Sequence, residues 1–317
     1  MSNQQQQQNS IIKLPPYVDG ISAALGSTVA ILILQPFDLL KIRLQGSGFG
    51  LGSGPSDSKY QRPKLIPTVR GILKNEGVSQ FWRGIGPTIV ANGVAWGVYM
   101  YSYETYKNIL KQKQSMKENE HLSLQQNFMC ALSAGITQVF FTNPIFLIKT
   151  RMQLQAKGSN AYYTGFFDGV SKTVKNEGFK GLYKGVVPGL WLTLHGGIQM
   201  SVYDEIKFYF RNNGNTLNSQ YEIFVASSIS KLLASSILYP FQLIKTRLQD
   251  ERNIPKDNKT RIYNGTIDTA KKIFKSEGIA GFYRGLIPNT LKVIPNSSIT
   301  LMAYEEIKQL IAKNYYS

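Results

Sequence analysis

The chain has 317 residues, a formal net charge of +17 and one cysteine, Cys130, so it cannot form an internal disulfide. A single cysteine fits a reducing or non-secretory location. The basic excess predicts an anionic partner, and nucleic acid, an acidic lipid surface and an anionic substrate all fit it.

The chain begins with a polar, glutamine-rich segment, residues 1–14, which we expect to be disordered. It lacks both the apolar core of a secretory signal and the arginines of a transit peptide. We therefore expect any targeting information to lie in the rest of the chain.

Six apolar runs follow this segment. They predict long helices near 17–45, 84–111, 122–155, 185–211, 220–250 and 285–313. Residues 21–37 and 122–148 include no charged side chain, and helices of that length and composition cross a bilayer. Short amphipathic segments are expected along the membrane surface near 65–75, 166–176 and 266–276. The sequence thus predicts an all-α membrane protein with six transmembrane helices.

The same motifs recur three times in a fixed order. The pattern Pro-x-x-x-x-Lys-x-Arg-x-Gln occupies 36–45, 144–153 and 240–249. An acidic-Gly pair follows each copy, and then come aromatic-basic-Gly triplets at 82–84, 183–185 and 283–285. Each repeat ends in aromatic-acidic-x-x-Lys, at 103–107, 203–207 and 304–308. A repeat of this size is a structural unit.

We therefore expect one domain made of three two-helix repeats, at 15–113, 120–212 and 219–314. The motif prolines lie inside apolar helices, where they produce kinks. Kinks at equivalent positions in the three odd helices would draw their ends together into a funnel that is closed at one end.

Two classes of function other than transport compete with this interpretation. We find no triad, metal cluster or carboxylate pair placed for catalysis, so we expect no enzymatic activity, no bound metal and no cofactor. A peripheral helical-repeat scaffold that binds nucleic acid through basic loops is the remote alternative. The uncharged spans have no charged face, which a soluble helical repeat would not tolerate. This argues against the scaffold, and we expect no nucleic acid partner.

The threefold motifs, which cover the chain after about residue 15, resemble those of the mitochondrial carrier family. The resemblance implies a pseudosymmetric bundle of six helices in the inner mitochondrial membrane, with both termini on the intermembrane-space side. It also implies a monomer that carries a soluble anionic metabolite by alternating access.

In that family an acid two residues after the motif proline pairs with a lysine of the neighbouring repeat and closes the matrix side. Here Asp38 is the only acid of its set, because Phe146 and Gln242 occupy the other two positions. The lysines and the glutamines that brace such pairs are complete: Lys41, Lys149, Lys245, Gln45, Gln153 and Gln249. We predict one full ion pair at this matrix gate, a further hydrogen bond between Gln242 and a lysine, and support from packing around Phe146.

The resemblance also implies a cytoplasmic gate formed by the acid and lysine that end each repeat. Its residues are Glu104, Lys107, Asp204, Lys207, Glu305 and Lys308. All three pairs are able to form there. We expect the motif arginines Arg43, Arg151 and Arg247 to face the matrix surface and not the cavity.

A charged side chain inside a span is costly, so it usually faces a water-filled cavity and has a function. Lys292 lies in the sixth run and matches a substrate-contact position of the family, and a structural ion pair is the alternative. Lys231 lies in the fifth run and resembles a lysine of the branch that carries folate or flavin adenine dinucleotide (FAD). Its alternative is snorkelling to the interface.

Four further residues are predicted to contact substrate. Asn92 and Thr193 occupy the equivalent contact positions of the second and fourth helices, and the Asn92 amide offers both a donor and an acceptor. Trp96 is suited to stack on a flat heterocycle, although helix packing and an interfacial aromatic belt fit it equally. His195 fits substrate contact and helix packing alike, and nothing in its setting indicates a metal ligand.

The aromatic-basic-Gly triplets begin helices whose free backbone N–H groups bind phosphate well, and in the family such starts bind cardiolipin. We predict lipid contacts at the helix starts and at two companion glycines: Gly84, Gly185, Gly285, Gly165 and Gly265.

Within the family, residues 95–99, the segment 143–151 and the segment 239–245 resemble the folate and FAD branch, which typically has Trp where this chain has Phe146. Neighbouring branches carry pyrimidine nucleotides or nicotinamide adenine dinucleotide (NAD), and these remain the alternative substrates.

Overall fold

The computed structural model describes residues 16–46, 64–115, 122–155, 163–212, 220–250 and 263–315. The glutamine-rich segment 1–14 lies outside these ranges. Within them the chain forms α-helices, short 3-10 turns and connecting loops, without a β-strand. The α-helices are α1 (Pro16–Gln45), α2 (Leu65–Asn75), α3 (Ile85–Lys113), α4 (Leu124–Leu154), α5 (Phe166–Glu177), α6 (Val186–Trp191), α7 (His195–Asn212), α8 (Gln220–Gln249), α9 (Thr266–Glu277) and α10 (Leu286–Tyr315).

The long helices lie where the apolar runs predicted them. Helices α1, α4 and α8 continue through their motif prolines. Helices α1 and α8 end at the glutamine of the decapeptide, and α4 ends one residue after it. The start of α4 is fixed by a capping box, in which Ser123 and Gln126 each bind the backbone N–H of the other. By length and composition, Gly20–Gln45 and Gln125–Leu154 are apolar enough to cross a membrane among the described residues.

The fourth long segment differs from the continuous helix expected at 185–211. It divides into α6 and α7 at a short 3-10 turn, Leu192–Leu194. In this turn the Thr193 hydroxyl donates to the Leu190 carbonyl over 2.7 Å, which competes with the regular helical bond. Gly196 and Gly197 follow at once and lower the helix propensity.

Each repeat carries one amphipathic surface helix, α2, α5 or α9, as predicted. The inner faces are buried against the ends of α1, α4 and α8, with Ile72 and Ile273 both 0% exposed. The outer face of each helix exposes two large apolar side chains at equivalent positions: Ile66 and Leu73, Phe167 and Val174, Ile267 and Phe274. On α5 and α9, hydrogen bonds from Lys172 and Lys272 hold the pKa values of Asp168 and Asp268 below their usual value. A helix with this arrangement suits the membrane interface.

Helix packing joins the repeats into a ring. Helix α3 packs against α4, α7 packs against α8, and α10 returns to pack against α1. The second helix of each repeat therefore packs on the first helix of the next. The last of these contacts closes the ring of long helices around a central axis.

Candidate functional site

A cyclic set of hydrogen bonds ties together the carboxyl-terminal ends of α1, α4 and α8. In each bond an arginine Nε donates to the backbone carbonyl of a glutamine in the next repeat. The pairs are Arg43 to Gln153 at 2.7 Å, Arg151 to Gln249 at 3.1 Å and Arg247 to Gln45 at 3.2 Å. Because the third repeat binds the first, the bundle is closed at this end.

The expectation that these arginines face the matrix surface was wrong. Arg43, Arg151 and Arg247 are 3%, 1% and 0% exposed. Each forms an ion pair with the glutamate of its own acidic-Gly motif: Arg43–Glu76 at 2.8 Å, Arg151–Glu177 at 2.6 Å and Arg247–Glu277 at 2.7 Å. These glutamates lie at the carboxyl-terminal ends of the surface helices, as the residue after α2 and as the last residues of α5 and α9. The signal in the sequence was the recurrence of one glutamate for every motif arginine.

A second threefold contact, which the sequence did not reveal, involves the residue before each motif proline. Gln35 donates to the Arg83 carbonyl at 3.1 Å, and Asn143 donates to the Leu182 and Lys184 carbonyls. In the third repeat the Tyr239 hydroxyl donates to the Arg284 carbonyl at 2.8 Å. These side chains bind each odd helix to the loop that begins its partner. Three chemically different residues make this contact, so no shared residue type identifies it when the three repeats are compared.

Asp38 is the centre of the predicted matrix gate, and it binds two lysines at once. Its Oδ2 lies 2.8 Å from Lys149 Nζ of the second repeat, and its Oδ1 lies 2.7 Å from Lys292 Nζ on α10. Asp38 is 5% exposed and the Lys292 side chain 30% exposed. In this structure Lys292 therefore has the ion pair that the sequence left as its alternative role, at a position still open to solvent.

Phe146 occupies the position of the second gate acid and meets lysines with its ring. The ammonium of Lys245 lies 5.6 Å from the ring centroid, and that of Lys149 lies 6.0 Å from it. Such distances correspond to cation–π contacts. At the third position, the Gln242 side chain makes no hydrogen bond to a gate lysine within the described residues.

The motif glutamines lie directly below this layer and are buried. Gln45 accepts a hydrogen bond from Thr246 at 3.0 Å, and Gln249 donates to the Lys184 carbonyl at 3.4 Å. The Gln153 side chain is 0% exposed, and its amide oxygen and nitrogen have no hydrogen-bond partner among the described residues. The side chains of two of the three glutamines thus link neighbouring repeats.

Above the gate, α7 and α8 bring two of the predicted substrate residues together. His195 Nε2 lies 3.1 Å from the Ser235 hydroxyl, and His195 and Lys231 are close enough to interact electrostatically. Lys231 also interacts with Lys292. Thr193 instead faces α4, because a Cβ built on Gly135 would lie 3.2 Å from its Cβ.

The predicted residues of α3 lie on a single face of that helix. Trp96 is 67% exposed and meets Tyr99 edge-on at 6.3 Å between ring centroids. Tyr99 stacks on Tyr103 at 6.1 Å. Asn92, one turn before Trp96, donates to the Thr88 carbonyl at 3.0 Å, so its amide oxygen stays available to a ligand. Alternation of ring and amide on this face suits a planar heterocycle.

At the opposite end of the bundle, the predicted cytoplasmic gate is not closed between repeats at Glu104. Glu104 pairs with Lys107 of its own helix at 3.4 Å, and Lys107 lies 5.1 Å from the Tyr103 ring centroid. Lys308 makes the equivalent contact with the Tyr304 ring at 5.6 Å. Asp204, Lys207 and Glu305 lie at equivalent positions of α7 and α10.

Of the glycines predicted to contact lipid, Gly185 and Gly265 line a common cavity. A cavity of about 330 Å³ lies between the second and third repeats, with Gly185 on one side and Gly265 on the other. Lys184 and Asp250 also line it. Gly84 begins α3, where Arg83 reaches Gln155, whose amide oxygen also binds the backbone of Tyr163, close to Gly165. The loop that would face Gly285, residues 47–63, lies outside the described residues.

The family model of the mitochondrial carrier protein matches three segments that together cover most of the chain, at 13–114, 120–214 and 218–315. The chain belongs to the mitochondrial carrier family. It is a transporter of the helical membrane carrier fold, built from three homologous repeats, as the motifs predicted.

Several curated proteins resemble this carrier along most of their length. Mitochondrial substrate carrier family protein M of Dictyostelium discoideum is 66% identical, over 92% of this chain and 95% of that protein. Nicotinamide adenine dinucleotide transporter 2, mitochondrial, of Arabidopsis thaliana is 34% identical, over 90% and 77%. The mitochondrial FAD carrier protein of Saccharomyces cerevisiae is 31% identical, over 92% and 95%.

Proposed function

We propose that this carrier moves an anionic metabolite with a flat ring system across the inner mitochondrial membrane, with FAD or folate as the substrate. The observation that carries the proposal is the charge of the spans. Lys231 and Lys292 lie in α8 and α10 above three gate lysines, and Asp38 is the carboxylate that faces them in the described residues. Ammonium groups inside a membrane need a counter-charge. An anionic substrate supplies it.

The ring system is supported by the aromatic face of α3. Trp96 and Tyr99 offer ring surfaces, and the Asn92 oxygen offers an acceptor near them. His195 and Ser235 add two groups able to donate to a phosphate or carboxylate. Isoalloxazine and pterin rings both match such a surface, and each belongs to a molecule with at least two anionic groups.

NAD is the second candidate, because a 34% identical relative is named as an NAD transporter. NAD shares the pyrophosphate of FAD but carries a positive nicotinamide ring, so the lysine-rich cavity would bind it less strongly. Pyrimidine nucleotides fit the charge as well and offer a smaller ring to Trp96. A nucleic-acid scaffold has no support from the family.

The resemblance to other carriers also supports proposals on oligomeric state, membrane topology and lipid binding. We propose that the carrier acts as a monomer with both termini on the intermembrane-space side, and that cardiolipin binds at the helix starts. The cavity between Gly185 and Gly265 is the proposed place for a lipid phosphate, since the first residues of α6 line it and the free N–H groups of a helix start bind phosphate.

Uptake into liposomes tests the substrate and the cavity together. Purified wild-type protein is expected to take up labelled FAD or folate faster than NAD. Lys231→Ala and Lys292→Ala should each lower kcat/KM for that substrate by about tenfold or more, because each removes a charge-assisted contact. Lys175→Ala, exposed on α5, is the matched control and should leave uptake unchanged.

Two results would count against the proposal. Absence of uptake of all three compounds by active wild-type protein would exclude the substrate class. Wild-type rates in both cavity variants would exclude the assignment of these lysines to the substrate.

A further inference from the structure

The floor of the cavity combines four lysines with one aspartate. Lys41, Lys149, Lys245 and Lys292 interact electrostatically with one another or with Asp38, which gives this group a formal charge of +3. We call these residues, together with Phe146, the floor cluster. Lys149 and Lys292 occupy the two oxygens of Asp38.

The pseudosymmetry shows which contacts of the floor cluster lack an acid. The Asp38–Lys149 pair joins the first repeat to the second. Its equivalents join position 146 to Lys245 and position 242 to Lys41. The first of these is a ring contact at 5.6 Å, and the second has no hydrogen bond. Among the described residues, no carboxylate lies within ion-pair distance of Lys41 or Lys245.

A ring face compensates a desolvated ammonium only in part, and an uncompensated charge in a protein interior is strongly destabilising. Lys41 is 7% exposed, and Lys245 is half-buried. The Lys245 ammonium also faces Gly189 of α6, where even an added Cβ would stay 3.5 Å away. Because residue 189 is a glycine, no side chain at that position covers the ammonium.

We infer that Lys41 and Lys245 form an anion-binding subsite at the floor of the cavity, which holds a phosphate or carboxylate in the place of the two missing gate acids. An anion bound there completes the ring of charge contacts between repeats. It therefore stabilises the conformation that is closed at this end. The inference rests on the proposed function only for the source of the anion, which is either the substrate itself or free inorganic phosphate.

Thermal unfolding in detergent tests the subsite without any transport. Cys130 is the one cysteine of the chain and is buried, so a thiol-reactive dye reports unfolding. At constant ionic strength, inorganic pyrophosphate should raise the melting temperature of the wild type by about 3 °C or more. Lys245→Gln should lose most of this increase, whereas Lys175→Gln on the surface should keep it.

Two substitutions at Phe146 separate an anion site from a merely structural cation–π contact. Phe146→Asp supplies the missing carboxylate, so it should raise the melting temperature without anion and abolish the response to pyrophosphate. Phe146→Leu removes the ring without adding charge, so it should lower the melting temperature and keep the response. Gln242→Glu, which places an acid opposite Lys41, is an independent version of the first change.

A full pyrophosphate response in both Phe146→Asp and Gln242→Glu would overturn the subsite, as would the absence of a response in the wild type. The source of the anion follows from uptake kinetics. If the substrate's own phosphates bind the floor, Lys245→Gln raises KM for FAD. If free phosphate binds there, KM for FAD stays unchanged while the stabilisation by pyrophosphate is lost. A protein that does not transport FAD would still show the pyrophosphate result.

Discussion

Asp38 is the acid of the matrix gate, and it pairs with more than one lysine. It is buried, and its two oxygens bind lysines from the second and third repeats at 2.8 and 2.7 Å. One carboxylate thus links α1 to α4 and to α10. In a symmetric gate three acids would share this task, so the loss of two concentrates it in Asp38.

We predict that Asp38→Asn destabilises the carrier strongly. The amide cannot balance Lys149 and Lys292, and removing one partner of a buried pair costs about 3 kcal/mol or more. The melting temperature, followed by dye labelling of Cys130, should fall by about 6 °C or more. Asp168→Asn is the control, because Asp168 pairs with Lys172 at 2.8 Å on an exposed surface. Equal melting temperatures in the two variants would contradict the role of Asp38.

The sequence predicted the roles of single residues where the same residue type recurs at equivalent positions of the three repeats. It predicted that Asp38 is the one acid of its set and that Phe146 and Gln242 replace the others. It did not predict that Lys292 pairs with Asp38, because 254 residues separate them in the sequence and only the tertiary structure brings them together. Nor did it predict Gln35, Asn143 and Tyr239, because a common role is performed there by different side chains.

At the scale of elements, these three pre-proline residues hold each odd helix to the loop that precedes the next span. Tyr239 is 0% exposed and donates to the Arg284 carbonyl, which precedes α10. Gly285 follows with φ of +79°, and a Cβ at that position would lie 2.9 Å from the Lys41 carbonyl. Backbone of the third repeat is thereby pressed against backbone of the first, and only glycine fits at this contact.

We predict that Tyr239→Phe weakens this junction by about 1 kcal/mol, because the Arg284 carbonyl loses a buried donor. The melting temperature should fall by about 2–4 °C. Tyr101→Phe provides the comparison, as Tyr101 is 76% exposed on α3 and its hydroxyl makes no hydrogen bond within the described chain. A similar loss in both variants would mean that the hydrogen bond of Tyr239 contributes nothing specific.

Element boundaries were predicted well, because apolar runs, prolines and glycines mark them directly. The exception is the break between α6 and α7. It depends on the approach of Thr193 to Gly135 across a helix interface, and on a hydroxyl that binds its own helix. Neither is visible in hydrophobic periodicity. A tertiary contact therefore acts here together with the low helix propensity of Gly196 and Gly197.

At the scale of the whole molecule, the contact between α1 and α10 closes the ring and joins the end of the chain to its beginning. Gly26 permits the close approach of these helices. A Cβ built on Gly26 would lie 2.9 Å from both the Thr300 carbonyl oxygen and the Tyr304 nitrogen. Both atoms belong to the backbone, so neither can move aside without a shift of the whole helix.

We predict that Gly26→Ala separates α1 from α10 and destabilises the closed ring, even though alanine favours helix by about 1 kcal/mol over glycine. Gly20→Ala is the matched control within the same helix, because no atom lies within 4 Å of its Cβ position. Gly20→Ala should therefore keep or raise the melting temperature, while Gly26→Ala should lower it by several degrees and reduce uptake. If both variants gained stability, the contact between α1 and α10 would have enough space for a methyl group. Closure of the ring would then depend on the arginine–carbonyl contacts at the ends of the odd helices more than on packing between the first and last spans.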